Sequence, residues 1–284
     1  MAPTSSPVRR SLWARTGAQD GERRIPEETP VALVHDASTT AVMMATPADL
    51  EDFAVGFSLT EGLVQDARQI RGLEIVETEL GVEARVWLEP GCGAALMQRR
   101  RQIAGPTGCG LCGLDSLAEA VRPAPRVAQD LRFTAEDVHA ALAALGPAQA
   151  LGSATRGTHA AGWWTRAQGL VAIREDVGRH NALDKLVGAL ARDGETPAGL
   201  LLLTSRVSVE MVQKASVLGA QAMIAVSVPT ALAVRVAEAA GVTLIAVARS
   251  DGFEVFTHPH RLAESPRGGT GDRHGLRPRP SCRR

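Results

Sequence analysis

The chain has 284 residues, a mass of 29.9 kDa, and 31 basic side chains balanced by 31 acidic ones. Apolar residues make up 45% and charged residues 22% of the chain, which excludes a collagen-like or mainly disordered protein. No apolar run approaches the ~20 residues that span a bilayer, and the balanced charge argues against a nucleic-acid-binding protein.

Both ends of the chain are expected to lack fixed structure. Residues 1–25 are rich in Ser, Pro and Arg, and residues 263–284 consist mainly of Gly, Pro and Arg, so neither end buries enough apolar surface to offset the entropy of ordering. No apolar stretch follows the N-terminal arginines, so no secretory signal is expected. The four cysteines do not suggest a disulfide framework, which favours a cytoplasmic protein.

Two folded domains are expected between these ends. The pattern over residues 26–130 is typical of a smaller, β-rich N-terminal domain. Over residues 131–262, apolar strands alternate with helices, which indicates a sheet covered on both faces. The second domain is therefore predicted to be α/β, and the whole chain α+β.

The first domain begins with two β-like runs within residues 31–46. Thr46 followed by Pro47 predicts the start of a helix, because Thr caps helices and Pro suits the first helical position. The runs at residues 73–77 and 84–88 are typical of a β-hairpin.

The second domain begins with a capping box of Thr134 and Asp137, which predicts a helix to about Leu145. The alternating strands and helices that follow are predicted at residues 169–173, 180–190, 200–203, 208–218, 223–226, 230–239, 242–247 and 253–256.

Polar residues follow three consecutive predicted strands, at residues 204–206, 227–230 and 249–251. Ligands of open α/β sheets bind beyond such strand ends, and helix N-termini favour anions such as phosphate. Ser and Thr are also simple helix caps, which explains any one of these loops alone. Three loops in succession, with two arginines, favour a phosphate-bearing ligand.

The densest polar cluster is Asp-Val-Gly-Arg-His-Asn-Ala-Leu-Asp-Lys, residues 176–185. Gly178 permits a tight turn, after which Arg179 and His180 stand at a helix start. A solvated helix start explains the charges by itself, whereas the succession Gly-Arg-His-Asn favours a functional role. Both interpretations stay open.

Lysine occurs at only two positions, Lys185 and Lys214, and arginine accounts for all other basic residues. Lys214 follows Glu210 by four residues, which is the spacing of a supporting ion pair on a helix. A lysine ammonium is compact and its pKa shifts on burial, unlike that of a guanidinium. Both lysines are therefore positions where arginine is expected to fail.

Cys109 and Cys112 stand in the glycine-rich run Gly-Cys-Gly-Leu-Cys-Gly, residues 108–113. Unobstructed backbone N–H groups favour the thiolate, which is the nucleophilic form of cysteine. Three chemistries fit this spacing: half of a zinc site, a dithiol redox motif, and a sulfur carrier that holds a persulfide. The zinc site lacks an evident second ligand pair, and the redox motif lacks its preceding strand.

Six motifs in order resemble the formate dehydrogenase accessory sulfurtransferases, the FdhD family, over residues 31–262. They are EDFAVGF with TEG (51–62), CGLCG (109–113), DVGRHNALDK (176–185), SR with EMVQK (205–214), PTALA (229–233) and THP (257–259). One departure is Arg156, where the family usually has a second glycine.

The resemblance implies that Cys109 accepts sulfur from a cysteine desulfurase as a persulfide, with Cys112 as its motif partner. The sulfur then passes to the molybdenum (or tungsten) bis(molybdopterin guanine dinucleotide) cofactor, bound as a substrate, before that cofactor enters formate dehydrogenase. Family members are homodimers whose C-terminal domain is similar to the cytidine deaminase fold. The chain lacks the zinc signature of deaminases, so neither deamination nor a metal site is implied.

The resemblance places the cofactor-binding stretch at Val247, Ala248, Arg249, Ser250, Asp251 and Gly252. The other candidate ligand residues, taken from the shared motifs and the strand ends, are Arg179, His180, Lys185, Ser205, Arg206 and Lys214. Two alternative functions stay open: a zinc-dependent deaminase-like hydrolase, and a chaperone that holds the cofactor without transferring sulfur.

Overall fold

The computed structural model describes residues 2–92, 123–194 and 196–263. A four-stranded sheet and a six-stranded sheet lie on opposite sides of two packed helices, one helix against each sheet. The predicted mixed α/β class is confirmed. No helix within the described ranges combines the length and apolarity needed to cross a membrane.

The N-terminal residues form a hairpin, so the expectation of a disordered arm over residues 1–25 is wrong. Strand β1 (Ser5–Ala14) pairs antiparallel with β2 (Gly17–Pro26) in unbroken register. The backbone N–H and C=O groups of the two strands pair with one another. This pairing does not depend on apolar side chains, so the composition of residues 1–25 does not reveal it. The predicted tail at residues 263–284 lies outside the described residues, apart from Ala263.

The first sheet has the strand order β4-β3-β6-β5, with β3 and β6 parallel. Its strands are β3 (Thr29–His35), β4 (Ser38–Ala45), β5 (Ile70–Thr78) and β6 (Gly81–Leu88). The pairs β3–β4 and β5–β6 are antiparallel hairpins, which confirms both predicted β regions.

Helix α1 (Leu50–Thr60) follows β4, and its predicted start at Thr46 and Pro47 is wrong. The hydroxyl of Thr46 accepts a hydrogen bond from the backbone N–H of Val177 at 3.1 Å, so it is engaged with a distant part of the chain. Asp49 stands at the N-cap position instead.

The second sheet has the order β13-β12-β11-β10-β8-β9, with β10, β11 and β12 parallel to one another. Its strands are β8 (His159–Thr165), β9 (Gly169–Asp176), β10 (Leu200–Leu203), β11 (Ala222–Ala225), β12 (Thr243–Arg249) and β13 (Gly252–Val255). The helices are α2 (Ala135–Ala148), α3 (Ala150–Thr155), α4 (Arg179–Asp193), α5 (Val209–Val217) and α6 (Ala231–Ala240). The predicted capping box opens α2. Short β7 (Phe133–Thr134) pairs with β14 (Leu262–Ala263).

Alternate side chains of the second sheet enter two apolar clusters. Leu201 and Leu203 pack with α4, α5 and α6 in a cluster that continues through α1 into the first sheet. Leu200 and Leu202 pack on the other face with α2. Because the larger cluster reaches both sheets, the two halves of the chain share a core.

Helices α1 and α4 cross at a pair of glycines. A Cβ atom on Gly56 would lie 1.7 Å from the carbonyl oxygen of Asp184, and one on Gly188 would lie 1.8 Å from the carbonyl oxygen of Asp52. Since real Cβ contacts are essentially never shorter than 3.0 Å, only glycine permits this approach. The crossing therefore sets the distance between the two sheets.

Lys185 on α4 is fully buried and joins both halves of the chain. Its Nζ lies 2.6 Å from Oδ2 of Asp176 and donates to the carbonyl of Thr46 at 2.9 Å. Asp176 also accepts hydrogen bonds from the N–H of Gly178 and the side-chain amide of Asn181. Part of the polar cluster at residues 176–185 is thus a buried set of contacts that joins the two halves of the chain, which we call the clamp.

Lys214 on α5 makes a second buried ion pair. Its Nζ lies 2.9 Å from Oδ1 of Asp184 and 2.8 Å from Oε1 of Glu61, and it donates to the Thr60 hydroxyl at 2.9 Å. Burial by itself lowers the pKa of Lys214, but the negative charges of Asp184 and Glu61 have the larger combined effect. The pKa of Lys214 is therefore raised. The predicted pairing of Lys214 with Glu210 is wrong.

We expect Gly188→Ala to destabilise the protein by about 3 kcal/mol, because the added methyl group has no space beside the backbone of α1. Gly146→Ala is the matched control: a Cβ at Gly146 in α2 meets nothing within 4 Å, and alanine favours a helix by about 1 kcal/mol. Urea unfolding followed by circular dichroism measures both. Wild-type stability of Gly188→Ala would contradict the close crossing.

We expect Lys185→Met to cost about 3–5 kcal/mol of unfolding free energy, because it leaves the carboxylate of Asp176 buried without a counter-charge. The control is Arg71→Met, which removes an exposed cation from β5 and should change stability by no more than about 0.5 kcal/mol. Urea titrations compare the two variants, and equal stabilities would show that the buried pair does not hold the fold together.

Candidate functional site

The C-terminal ends of β10, β11 and β12 lie side by side, as predicted for a ligand site of an α/β sheet. The N–H of Val226 donates to the carbonyl of Leu203 at 2.9 Å, and the N–H of Val247 donates to the carbonyl of Ser227 at 3.1 Å. These bonds join the three loops into one surface. We call it the strand-end edge, formed by residues 204–208, 226–230 and 247–252.

The predicted cofactor-binding stretch is the turn from β12 into β13, which begins at Gly252. Val247 has a φ of 52°, in the left-handed region that costs a β-branched residue about 1–3 kcal/mol. The register of the strand pair shifts around it, between Ala246 and Arg249, while Ala248 is buried. Strain of this kind concentrates at functional sites. The turn exposes three consecutive polar residues, Arg249, Ser250 and Asp251.

Two arginines supply the cations of the strand-end edge. Nη1 of Arg249 donates to the carbonyl of Val226 and, at 2.9 Å, to that of Ala248, so the guanidinium lies against the neighbouring loop. Arg206 is exposed, whereas Ser205 before it is buried and its hydroxyl donates to the Arg206 carbonyl at 3.0 Å. The edge thus presents positive charge next to helix starts that favour anions.

Arg179 and His180 begin α4, where no side chain caps the helix. Nε2 of His180 lies 3.9 Å from Oε2 of Glu210, which stands in the first turn of α5. The interaction with His180 and that with Ser208 outweigh burial and lower the pKa of Glu210 to about 2. An ionised carboxylate therefore lies among donors where the two helices begin.

Three polar atoms at these helix starts are buried without a hydrogen-bond partner within the described residues: Arg179 Nε, His180 Nε2 and Ser208 Oγ. His180 Nε2 and Ser208 Oγ lie near the carboxylate of Glu210 without closing a hydrogen bond to it, and Arg179 Nε is unpaired. Buried polar atoms nearly always make hydrogen bonds, so this cluster is a candidate position for a ligand, ion or water. His159 at the start of β8 pairs with Asp176 at the end of β9, directly before α4. Burial and the charge of Arg179 lower the pKa of His159. The cluster suits a ligand that presents acceptor atoms.

Lys185 and Lys214 do not belong to this site, contrary to the prediction. Both ammonium groups are enclosed by carboxylates and backbone or hydroxyl oxygens inside the fold. The structure does bring Arg179 and His180 to the same edge of the sheet as Arg206. The lysines instead hold the elements that carry these residues.

Cys109 and Cys112 lie outside the described residues, so their predicted role is not tested by the geometry. On one side of them in the chain, Cys92 packs against the main core. On the other, the N–H of Val127 donates to the carbonyl of Ala240 at 3.0 Å, where α6 ends. Val127 therefore lies near the N-terminal ends of the parallel strands, on the side of the sheet away from the strand-end edge. No three His, Cys, Asp or Glu side chains in the described ranges converge as they would around a metal ion.

Sequence reasoning missed three residues of the site: His159, Ser208 and Glu210. The four-residue spacing predicts an ion pair of Glu210 on its own helix, because spacing along a helix says nothing about partners on another element. Ser208 stands at the N-cap of α5 yet makes no capping bond, which only coordinates reveal. One signal was available, since Ser205, Arg206, Ser208 and Glu210 all fall within six residues at a predicted helix start.

Comparison with known proteins agrees with the motifs. A model of the FdhD/NarQ family matches residues 26–263. A relative named sulfur carrier protein FdhD, from Agrobacterium fabrum, is 49% identical over 260 residues, or 88% of this chain and 94% of the relative. Another of that name, from Brucella abortus, is 51% identical over 252 residues with the same coverage.

A solved structure supports the fold. The crystal structure of a formate dehydrogenase accessory protein from Desulfotalea psychrophila is similar to this chain with a TM-score of 0.72 and 25% identity. The match covers 92% of this chain and 100% of that one. The likeness of the second domain to cytidine deaminases stays a prediction. From the family model and the relatives that are half identical along nearly their whole length, the chain belongs to the FdhD/NarQ family.

Proposed function

We propose that this protein is a sulfur carrier for formate dehydrogenase, acting in the cytoplasm. It accepts sulfur from a cysteine desulfurase as a persulfide on Cys109. It delivers that sulfur to the molybdenum or tungsten bis(molybdopterin guanine dinucleotide) cofactor, which it binds as a substrate, and it works as a homodimer. The observation that carries the proposal is the strained, cationic strand-end edge in a chain half identical to proteins named sulfur carriers.

The strand-end edge supports binding of a ligand with phosphates and nucleobases. Arg206 and Arg249 are exposed cations, and the starts of α4, α5 and α6 supply backbone N–H groups at the same edge of the sheet. The ionised Glu210 lies 3.9 Å from Nε2 of His180 and interacts with the side chain of Ser208. Such a pairing of acceptor and donors matches groups that themselves donate and accept, as guanine and ribose do.

The proposed chemistry needs a nucleophilic thiolate in two steps. The thiolate of Cys109 attacks the outer sulfur of the donor persulfide, so that a new S–S bond forms and the donor cysteine leaves as a thiolate. The thiolate of Cys112 then attacks the inner sulfur of Cys109. A disulfide forms, the outer sulfur leaves as hydrosulfide for the metal centre, and a dithiol reductant restores both thiols.

We expect the full chain to gain one sulfur atom when it is incubated with a cysteine desulfurase and cysteine, as measured by intact mass. Cys109→Ser should abolish the gain, because it removes the attacking thiolate. Cys112→Ser should keep the sulfur bound, since the release step is blocked. Cys92→Ser is the matched control and should load like the wild type, as Cys92 packs against the core.

Three outcomes contradict this assignment. Sulfur on Cys112 but not on Cys109 would reverse the two roles. No gain of sulfur by the reduced wild type, together with full support of formate dehydrogenase maturation by Cys109→Ser, would favour the cofactor chaperone. Stoichiometric zinc lost on Cys109→Ser would favour the deaminase-like hydrolase.

We expect the wild type to bind GDP more tightly than ADP, and Arg249→Ala to weaken GDP binding about tenfold, or about 1.4 kcal/mol. The reason is that the guanidinium lies on the strand-end edge against the loop of β11. Calorimetric titration of the full chain measures both, with Arg71→Ala on β5 as the control. Equal affinities of Arg249→Ala and wild type would remove this edge from the cofactor site.

A further inference from the structure

The hairpin of β1 and β2, which we call the arm, is exposed along nearly its whole length. Only Ser5, Ser6 and Pro26 are even partly buried, and all three lie at its base. There Arg23 donates to the carbonyl of Thr155 at 3.3 Å. Strands of ten residues reach about 33 Å, and a two-stranded ribbon is marginally stable in water by itself. We therefore expect a ribbon of this length to be stabilised by packing against another surface.

The two faces of the arm differ in charge. On one face, Val8 pairs with Arg23, Arg10 with Gly21 and Leu12 with Gln19. On the opposite face, Arg9 pairs with Glu22, Ser11 with Asp20, Arg24 with Pro7 and the exposed Trp13 with Ala18. Two carboxylates therefore balance the two arginines of that face. We call the first the arm face, formed by Val8, Arg10, Leu12, Arg23 and Ile25. It combines exposed apolar side chains with two cations and holds no carboxylate.

The four-stranded sheet has an apolar surface on its outer side, away from α1. The alternation along β6 puts Val82, Ala84 and Val86 in the core and Trp87 outside. On β4, Val42 is 61% exposed. We call this the outer sheet face, formed by Ala32, Val42, Met44, Glu74, Glu83, Arg85 and Trp87. Val42, Met44 and Trp87 are exposed large apolar side chains on this one face, and contiguous exposed apolar surface is typical of interaction sites.

The outer sheet face carries a net negative charge. Two carboxylates face one guanidinium: Oε2 of Glu83 lies 2.8 Å and Oε2 of Glu74 lies 4.0 Å from nitrogens of Arg85. A cavity of about 360 Å³ opens beside Arg85, lined by Val34 and Trp87 among others. This surface is therefore complementary to the arm face in charge, and both surfaces expose apolar side chains.

We propose that the arm face of each chain docks on the outer sheet face of a second copy, and that this exchange of arms builds the homodimer. Leu12 and Val8 lie along Val42 and Trp87 of the second copy, and Arg10 faces the carboxylate of its Glu83. Each chain carries one arm face and one outer sheet face. Two copies that exchange arms therefore cover both arm faces and both outer sheet faces at the same time. Reciprocal contacts of this kind close as a two-fold dimer and leave no surface open for a filament.

The exchange explains why an N-terminal stretch of such polar composition forms strands at all. Docking covers the apolar side chains of the arm and supplies the burial that an isolated ribbon lacks. It also covers β-structure that would otherwise invite non-specific association. The inference deepens the homodimer part of the proposed function and is independent of the sulfur chemistry.

The test compares two neighbouring arginines that point to opposite faces of the arm. We expect the full-length wild type to be a dimer by light scattering at micromolar concentration. Arg10→Glu, on the arm face, should raise the dimer dissociation constant at least about tenfold. Arg9→Glu, on the opposite face, is the matched control and should leave the dimer unchanged. Deleting residues 2–24 should give a monomer with an unchanged circular dichroism spectrum of the body.

A charge exchange locates the docking surface. Glu83→Arg alone should weaken the dimer, and Arg10→Glu combined with Glu83→Arg should restore at least part of the lost affinity. A monomeric wild type, or a dimer that survives deletion of residues 2–24, overturns the proposal. Dissociation by Arg10→Glu without any effect of Glu83→Arg or Trp87→Glu also overturns it, because the arm would then dock elsewhere.

The sulfur-loading experiment is separate from this one. It measures the mass that the chain gains when sulfur is added to Cys109, and the arm variants leave Cys109 and Cys112 unchanged. A monomeric variant that still gains one sulfur would uphold the carrier assignment, whereas a dimer that gains none would refute the carrier and leave the arm exchange standing.

Discussion

The close crossing of α1 and α4 is the constraint on which the rest of this structure depends. At Gly56 and Gly188 the backbone of each helix lies where a side chain of the other would otherwise be. Because each helix lies against one sheet, the crossing fixes the spacing of the two sheets. Only at that spacing does Lys185 reach the carbonyl of Thr46, and Lys214 the carboxylate of Glu61.

The Asp-Val-Gly-Arg-His-Asn-Ala-Leu-Asp-Lys segment consequently has two roles that alternate along a single helix start. Asp176 and Lys185 face inward and close the clamp between the two halves of the chain. Arg179 and His180 face the strand-end edge, with atoms that make no hydrogen bond within the described residues. The buried ion pairs thus hold the ligand-facing groups in place. The strained backbone of Val247 lies in β12 of the second sheet.

Much of the fold was predictable, because strand and helix periods are local. Leu200–Leu203 and the capping box at Thr134 were predicted at their observed positions. The failures share one cause. Thr46 was assigned to a helix cap and Glu210 to an ion pair on its own helix, whereas their partners come from elements far away in the chain. The arm was missed since its strands bury almost nothing by themselves.

The sequence by itself determined the family, the α/β alternation and the row of polar strand ends, because these depend on residue identity and short spacing. It also predicts that arginine fails at both lysine positions, which stays a prediction. Only the tertiary structure decided what the lysines do, because a buried ammonium and a ligand-binding one have the same local pattern. The same holds for His159, Ser208 and Glu210, whose roles arise from contacts between helices that the glycine crossing brings together.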